Sequence, residues 1–140
     1  ASETNLVAKA GDWSIFEHKK DCMTETTTAD GTIVRIGLSD KGKKGYLATY
    51  NQGWLEFHKH KKYPLSYDLD GTTFDVEGKG VKRDDVPGAE VTFEDPLALV
   101  ELAKKKMMTL SVDGVEVTKI DLTGSDEAIK QMLACQDAQK

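Results

Sequence analysis

Leu122 to Gln136 reads LTGSDEAIKQMLACQ, and the rest of the chain is organised around this stretch. Ala128, Ile129, Met132, Leu133 and Cys135 recur at the spacing that puts side chains on one helical face. Ser125 stands where a side-chain oxygen caps the first free N–H groups, and Asp126-Glu127 fall in the first turn, where the helix dipole favours negative charge. The pattern predicts a helix over 125–136 whose apolar stripe rests on a larger body. Cys135 is one of two cysteines, and the other, Cys22, lies near the opposite end.

Neither cysteine belongs to a CxxC pair or has a histidine beside it, which argues against zinc binding and thioredoxin-type chemistry. Two readings stay open: a pair of buried thiols in a reducing compartment, or one disulfide in an oxidising one. A Cys22–Cys135 bond would staple the last helix onto the first strands. A loop of that order contributes up to about 4.7 kcal/mol in the chain-entropy model.

Between the cysteines the signal is β. Asp30-Gly31, Asp70-Gly71 and Asp113-Gly114 each mark a hairpin, because glycine accepts the positive φ that a tight turn needs. Alternation and β-branched content predict strands over 12–18, 22–28 (an edge strand), 32–38, 45–51, 54–58, 65–69, 72–77, 79–85, 89–94, 108–112 and 115–122. Pro87-Gly88 reads as a turn. Residues 1–11 carry little pattern and read as a flexible arm. Asp95-Pro96 opens a second helix over about 95–106, with Asp as cap and Pro at the first helical position. The fold class is mainly β: an antiparallel β-sandwich or flattened barrel with two short helices (about 95–106 and 125–136), in a single domain over 1–140.

Composition narrows function by exclusion. The 140 residues are 39% hydrophobic and 31% charged, with a net charge of −5. That balance argues against general nucleic-acid binding, and no apolar run is long enough to make a transmembrane helix. The opening Ala1-Ser2-Glu3-Thr4, with a small first residue and no Met, fits a chain whose signal peptide has been removed; it equally fits a trimmed leader or tag. With the cysteines, it leads to the expectation of a periplasmic or secreted protein.

Candidate sites are few. Aligned on Gly71, the stretch Ser66 to Glu77 places Ser66, Asp68, Asp70 and Glu77 at ligand positions 1, 3, 5 and 12 of a calcium loop. Thr73 stands where that loop carries an aliphatic residue, and the flanks alternate as strands, so an acidic hairpin is the favoured reading. His58 and His60 are spaced i, i+2, which on a strand puts them on one side and can bind a metal, but the neighbouring lysines repel a cation. Converging in space, Lys41, Lys43, Lys44, His58, Lys59, His60, Lys61 and Lys62 would form one patch for an anion or a protein partner; charge runs are more often solvated faces. There is no GxSxG elbow and no phosphate-binding loop. No catalytic residue is assigned and no cofactor is implied.

Both ends of the chain share a pattern with one family. The opening Gly11-Asp12-Trp13-Ser14-Ile15 with Cys22, and the closing Ile120-Asp121-Leu122-Thr123-Gly124-Ser125 with Ala128 and Met132 to Cys135, resemble the small exported bacterial proteins of the invasion-associated locus B type. One departure is visible: Phe16-Glu17-His18 occupies the region where another cysteine follows the opening Trp. The resemblance implies a β-rich periplasmic or surface protein with a binding or virulence-associated role, and supplies no catalytic residues. Three functions follow as expectations. The first is an exported, non-enzymatic β-domain that binds a macromolecular partner, with an inhibitor-like version in which a loop plugs the partner's cleft. The second is a β-barrel domain binding a small ligand or calcium. The third is an enzyme with a dispersed site.

Overall fold

A computed structural model describes residues 4–54 and 56–139. The processed-end reading of Ala1 to Glu3 lies outside the described residues, as does Leu55 of the predicted strand 54–58. The strands are β1 (Asn5–Ala10), β2 (Trp13–His18), β3 (Asp21–Thr27), β4 (Ile33–Ser39), β5 (Lys44–Tyr50), β6 (Lys62–Leu69), β7 (Thr72–Arg83), β8 (Val86–Phe93), β9 (Met107–Val112) and β10 (Val115–Asp121). The helices are α1 (Ala98–Leu102) and α2 (Ser125–Asp137). All ten strands join one sheet in the order β1-β2-β3-β4-β5-β8-β7-β6-β9-β10, with antiparallel pairing throughout.

The sheet has two ends, β1 and β10, and does not close into a barrel. It curls enough for one core to hold Trp13 and Ile15 of β2, Ile36 of β4, Leu47 of β5, Leu65 of β6, Leu110 of β9 and Ile120 of β10. Burial of this continuous apolar interior is the main favourable term in folding.

The Asp-Gly turns behave as the sequence predicts, with one variation. Asp70 and Gly71 have φ of 53° and 93°, and Asp113 and Gly114 have 51° and 81°. Two successive positive φ values make the turn whose twist matches that of the strands. At Asp30-Gly31 only the glycine is positive, and the turn is wider: the Thr28 N–H donates to the Thr32 carbonyl while the Asp30 carboxylate accepts from the Thr28 hydroxyl and the Thr32 N–H.

Several boundaries differ from the sequence reading. Residues 5–10 are not a flexible arm but an edge strand, held to β2 through a bulge between Leu6 and Ala8. The predicted edge strand 22–28 is internal, between β2 and β4. Residues 72–83 form one long strand, where a break was predicted at Gly78. Gly88 lies inside β8 because a Cβ there would sit 2.2 Å from the Thr49 carbonyl oxygen and 2.6 Å from the Tyr50 ring. It marks a close approach of strands, and the turn falls at Asp84-Asp85, with Asp84 at φ 55°. The helix predicted over 95–106 is confined to Ala98–Leu102 and has no side-chain cap; the Asp95 carboxylate accepts the Leu97 N–H at 2.9 Å in the turn ahead of it.

The two cysteines are joined: Cys22 of β3 and Cys135 of α2 form a disulfide with Cα atoms 6.1 Å apart. Beside it the Gln136 side chain accepts the Cys22 N–H and donates to the Lys20 carbonyl, each at 2.9 Å. At the other end of α2 the Trp13 indole N–H donates to the Thr123 carbonyl at 3.1 Å. Gly124 (φ 89°) lies against that indole, so the residue that permits the turn also permits the ring to pack close.

Candidate functional site

Residues 51–61 connect β5 to β6, and all of them except Leu55 are described. Two side chains of this segment anchor it in the main core. Trp54 and Phe57 are buried, and Phe57 meets Trp54 and Tyr63 edge-to-face, with centroids 5.8 and 5.0 Å away. Such contacts are worth about 0.5–1.5 kcal/mol each beyond area burial. The Tyr63 hydroxyl ties the loop from within: it donates to the Glu56 carbonyl at 2.9 Å and accepts the His58 N–H at 2.7 Å. Asn51 closes the entry, accepting the Gly53 N–H and donating to the Thr32 hydroxyl.

The far limb of the loop lies along β7. The His60 N–H donates to the Gly80 carbonyl at 2.8 Å, and the Gly80 N–H donates to the Lys61 carbonyl at 2.7 Å. His60 has φ 71°, a region that non-glycine residues occupy only when their surroundings hold them there. Gly80 is what lets the loop approach, because a Cβ there would sit 2.0 Å from the His58 carbonyl oxygen. His58, Lys59, His60, Lys61 and Lys62 are all exposed on this braced frame. The Lys61 ammonium sits 5.6 Å from the Tyr63 ring centroid, and Lys62 pairs with Glu77 at 3.5 Å.

Lys41, Lys43 and Lys44 do not join them. They lie in and after the β4–β5 turn, at the start of β5, whereas the 51–61 loop leaves from its end. Seven residues of strand separate the two groups by about 20 Å, and Lys44 pairs with Glu94 at 3.6 Å. The single basic patch drawn from the sequence is therefore two separate displays.

The stretch Ser66 to Glu77 is a ladder rather than a ligand loop. Ser66 faces Asp75, Asp68 faces Thr73, and Glu77 faces Pro64, well back from the tip. The side chains have other work. Ser66 donates to Asp75, Asp68 accepts the Gly71 N–H, and Glu77 holds Lys62. Asp70 accepts the N–H groups of Lys106 and Met107 at 3.0 and 2.9 Å, and these bonds hold its carboxyl below the usual range. Among the described residues no group of three or more His, Cys, Asp or Glu side chains is arranged to hold a metal ion.

Sequence reading missed a charged network on the outer face. The chain has only two arginines, and both reach Glu25: Arg35 and Arg83 each place a guanidinium nitrogen 3.0 Å from its carboxylate. Tyr46 lies alongside, its hydroxyl pushed up to about 12 by burial, with its ring over Gly37. The one sequence clue is the use of Arg in a lysine-rich chain, since only the guanidinium fork suits a shared carboxylate.

These features define an open, disulfide-stapled antiparallel β-domain that displays one braced basic loop. No known family model matches the chain, and no curated protein matches it by sequence. Among solved structures it is similar to the crystal structure of invasion associated protein B from Bartonella henselae, with 14% identity and a TM-score of 0.65 over 95% of this chain and 99% of that one. At that identity the likeness is one of fold.

Proposed function

We propose that the protein is an exported, non-enzymatic β-domain that binds an acidic protein partner through the 51–62 segment. The observation that carries this reading is the bracing of the loop. Buried aromatics, the Tyr63 hydroxyl and the Gly80 contact hold it in one shape while its lysines and histidines face outward. A preformed loop loses little entropy on binding, and loops positioned by a rigid scaffold often carry binding residues. The disulfide supports export, since such bonds persist in oxidising compartments. The fold shared with invasion associated protein B supports a virulence-related role.

A photo-crosslinking residue at position 61 tests this against one at position 41, both presented to the exported fraction of the source cells. Capture from position 61 alone is expected. It should fall at least tenfold in the Lys59→Glu/Lys61→Glu variant and weaken as salt rises. Equal capture from both positions, or capture unaffected by the charge reversal, removes the loop from the interface.

A further inference from the structure

A second surface lies away from the basic loop, where α1 meets the sheet. Leu47, Leu69, Phe74, Val76, Val91 and Phe93 line a pocket of about 280 Å³ there, which Ala98 and Leu102 of α1 border. A cavity of about 150 Å³ admits benzene, so this one holds roughly a dozen non-hydrogen atoms. Tyr67 is also in the wall, and its buried hydroxyl has no hydrogen-bond partner among the described residues. That hydroxyl is itself out of reach of the pocket, so the wall offers an occupant an apolar surface and no polar contact.

Charge at the mouth is asymmetric. Among the described residues, the ionisable groups bordering the pocket, apart from Tyr67, are Glu101 and Lys105. Glu101 is engaged by Lys104, whose ammonium is 3.2 Å from its carboxylate. Lys105 has no carboxylate within ion-pair distance among the described residues, although Asp70 is near enough to feel its charge. Lys104 and Lys106 flank it in sequence and add positive field.

We infer that this pocket binds a small amphipathic carboxylate, its apolar body under α1 and its carboxylate at Lys105. The occupant is fixed by three observations together: an apolar lining, room for a short chain, and a single uncommitted cation at the rim. It is independent of the basic loop and of any partner that the loop contacts.

Calorimetric titration of the oxidised protein with octanoate, octanol and octylammonium tests the assignment. Octanoate is expected to bind with a Kd below about 1 mM and at least tenfold more tightly than octylammonium, with octanol between them. Ala98→Trp fills the mouth and should abolish binding. Lys105→Gln, an exposed-rim change that leaves the apolar wall intact, should bring octanoate to the affinity of octanol. Octylammonium binding as tightly as octanoate, no measurable binding of either, or an unchanged preference in Lys105→Gln would overturn the inference. If Ala98→Trp does not keep its near-UV circular dichroism, the Lys105→Gln preference decides alone.

Discussion

The two helices meet the same sheet in opposite ways. α2 spans thirteen residues and buries Ala128, Ile129, Met132 and Cys135 over β1, β2 and β3. Its last turn carries the disulfide and the Gln136 clamp, and its first lies against Trp13. α1 spans five residues and buries Leu99 and Leu102, while Leu97 and Val100 remain exposed beside the apolar pocket. Below about twelve residues a helix owes its stability to what it packs on, so a five-residue helix resting on a partly filled pocket is the weaker attachment. Fixed structure is thus concentrated at the α2 end, and unfilled apolar surface at the α1 end.

The disulfide gives this contrast its largest test. Its sequence separation of 113 places it at the long-loop end of the chain-entropy relation, worth up to about 4.7 kcal/mol. Cys22→Ser/Cys135→Ser should lower the unfolding free energy in urea by about 3–5 kcal/mol. A loss under about 1 kcal/mol would show that packing alone holds α2.

Gln136 gives a smaller effect at the same end. Its side chain satisfies both the Cys22 N–H and the Lys20 carbonyl, where the β2–β3 turn leaves the sheet. Gln136→Ala should cost about 1 kcal/mol, chiefly from the part-buried Cys22 N–H, since the Lys20 carbonyl lies in an exposed turn that water reaches. The disulfide stays formed in that variant, so the two contributions separate. A change near zero would mean that water replaces the amide without loss.

Tyr67 probes the α1 end and has the opposite sign. Its hydroxyl is buried without a partner among the described residues, a condition that destabilises a fold. Tyr67→Phe keeps the ring and should leave the melting temperature unchanged or raise the stability by up to about 1 kcal/mol. A loss of that size instead would reveal a partner, such as an ordered water, and the pocket wall would already be complete.

What was legible in the sequence divides along the same line. The α2 end carried its own signals: an apolar stripe, acidic residues in the first turn, and a cysteine with one counterpart. The cap is a correction, because Gly124 takes the position predicted for Ser125, which is the first helical residue and whose buried hydroxyl makes no hydrogen bond among the described residues. The Asp-Gly turns were equally local, because the required φ values belong to those residues themselves. The remaining features depend on neighbours that are distant in the chain. Gly88 read as a turn and Gly80 as an ordinary strand residue, yet they are places where Thr49 and His58 approach the backbone. The lysines at 41–44 and 58–62 look alike in composition, and only the direction of β5 sets them apart. Glu25, Arg35 and Arg83 meet through strand order, which alternation does not encode. The helix over 95–106 was overextended because Leu97, Val100 and Met107 fit a helical face, while Asp70 draws the backbone of Lys106 and Met107 into β9.

That last contact gives the most local test of the comparison. Asp70 reaches from the β6–β7 tip to the first amides of β9, just beyond α1, and its carboxyl is held below the usual range chiefly by those two N–H groups. A group whose pKa is lowered on folding contributes stability above its unfolded value and loses it as pH falls through the folded one. Protection of the Lys106 and Met107 amides should therefore be full at neutral pH and fade below about pH 4, near the unperturbed carboxylate value. Amides of Cys22 and Ala128 in the α2 end should keep theirs over the same interval. Hydrogen exchange followed by NMR measures both sets in one sample, and Asp70→Asn should expose the first set at neutral pH without touching the second. If both ends open together on acidification, the α1 end is no looser than the α2 end, and the short helix is held by more than the contacts that define its pocket.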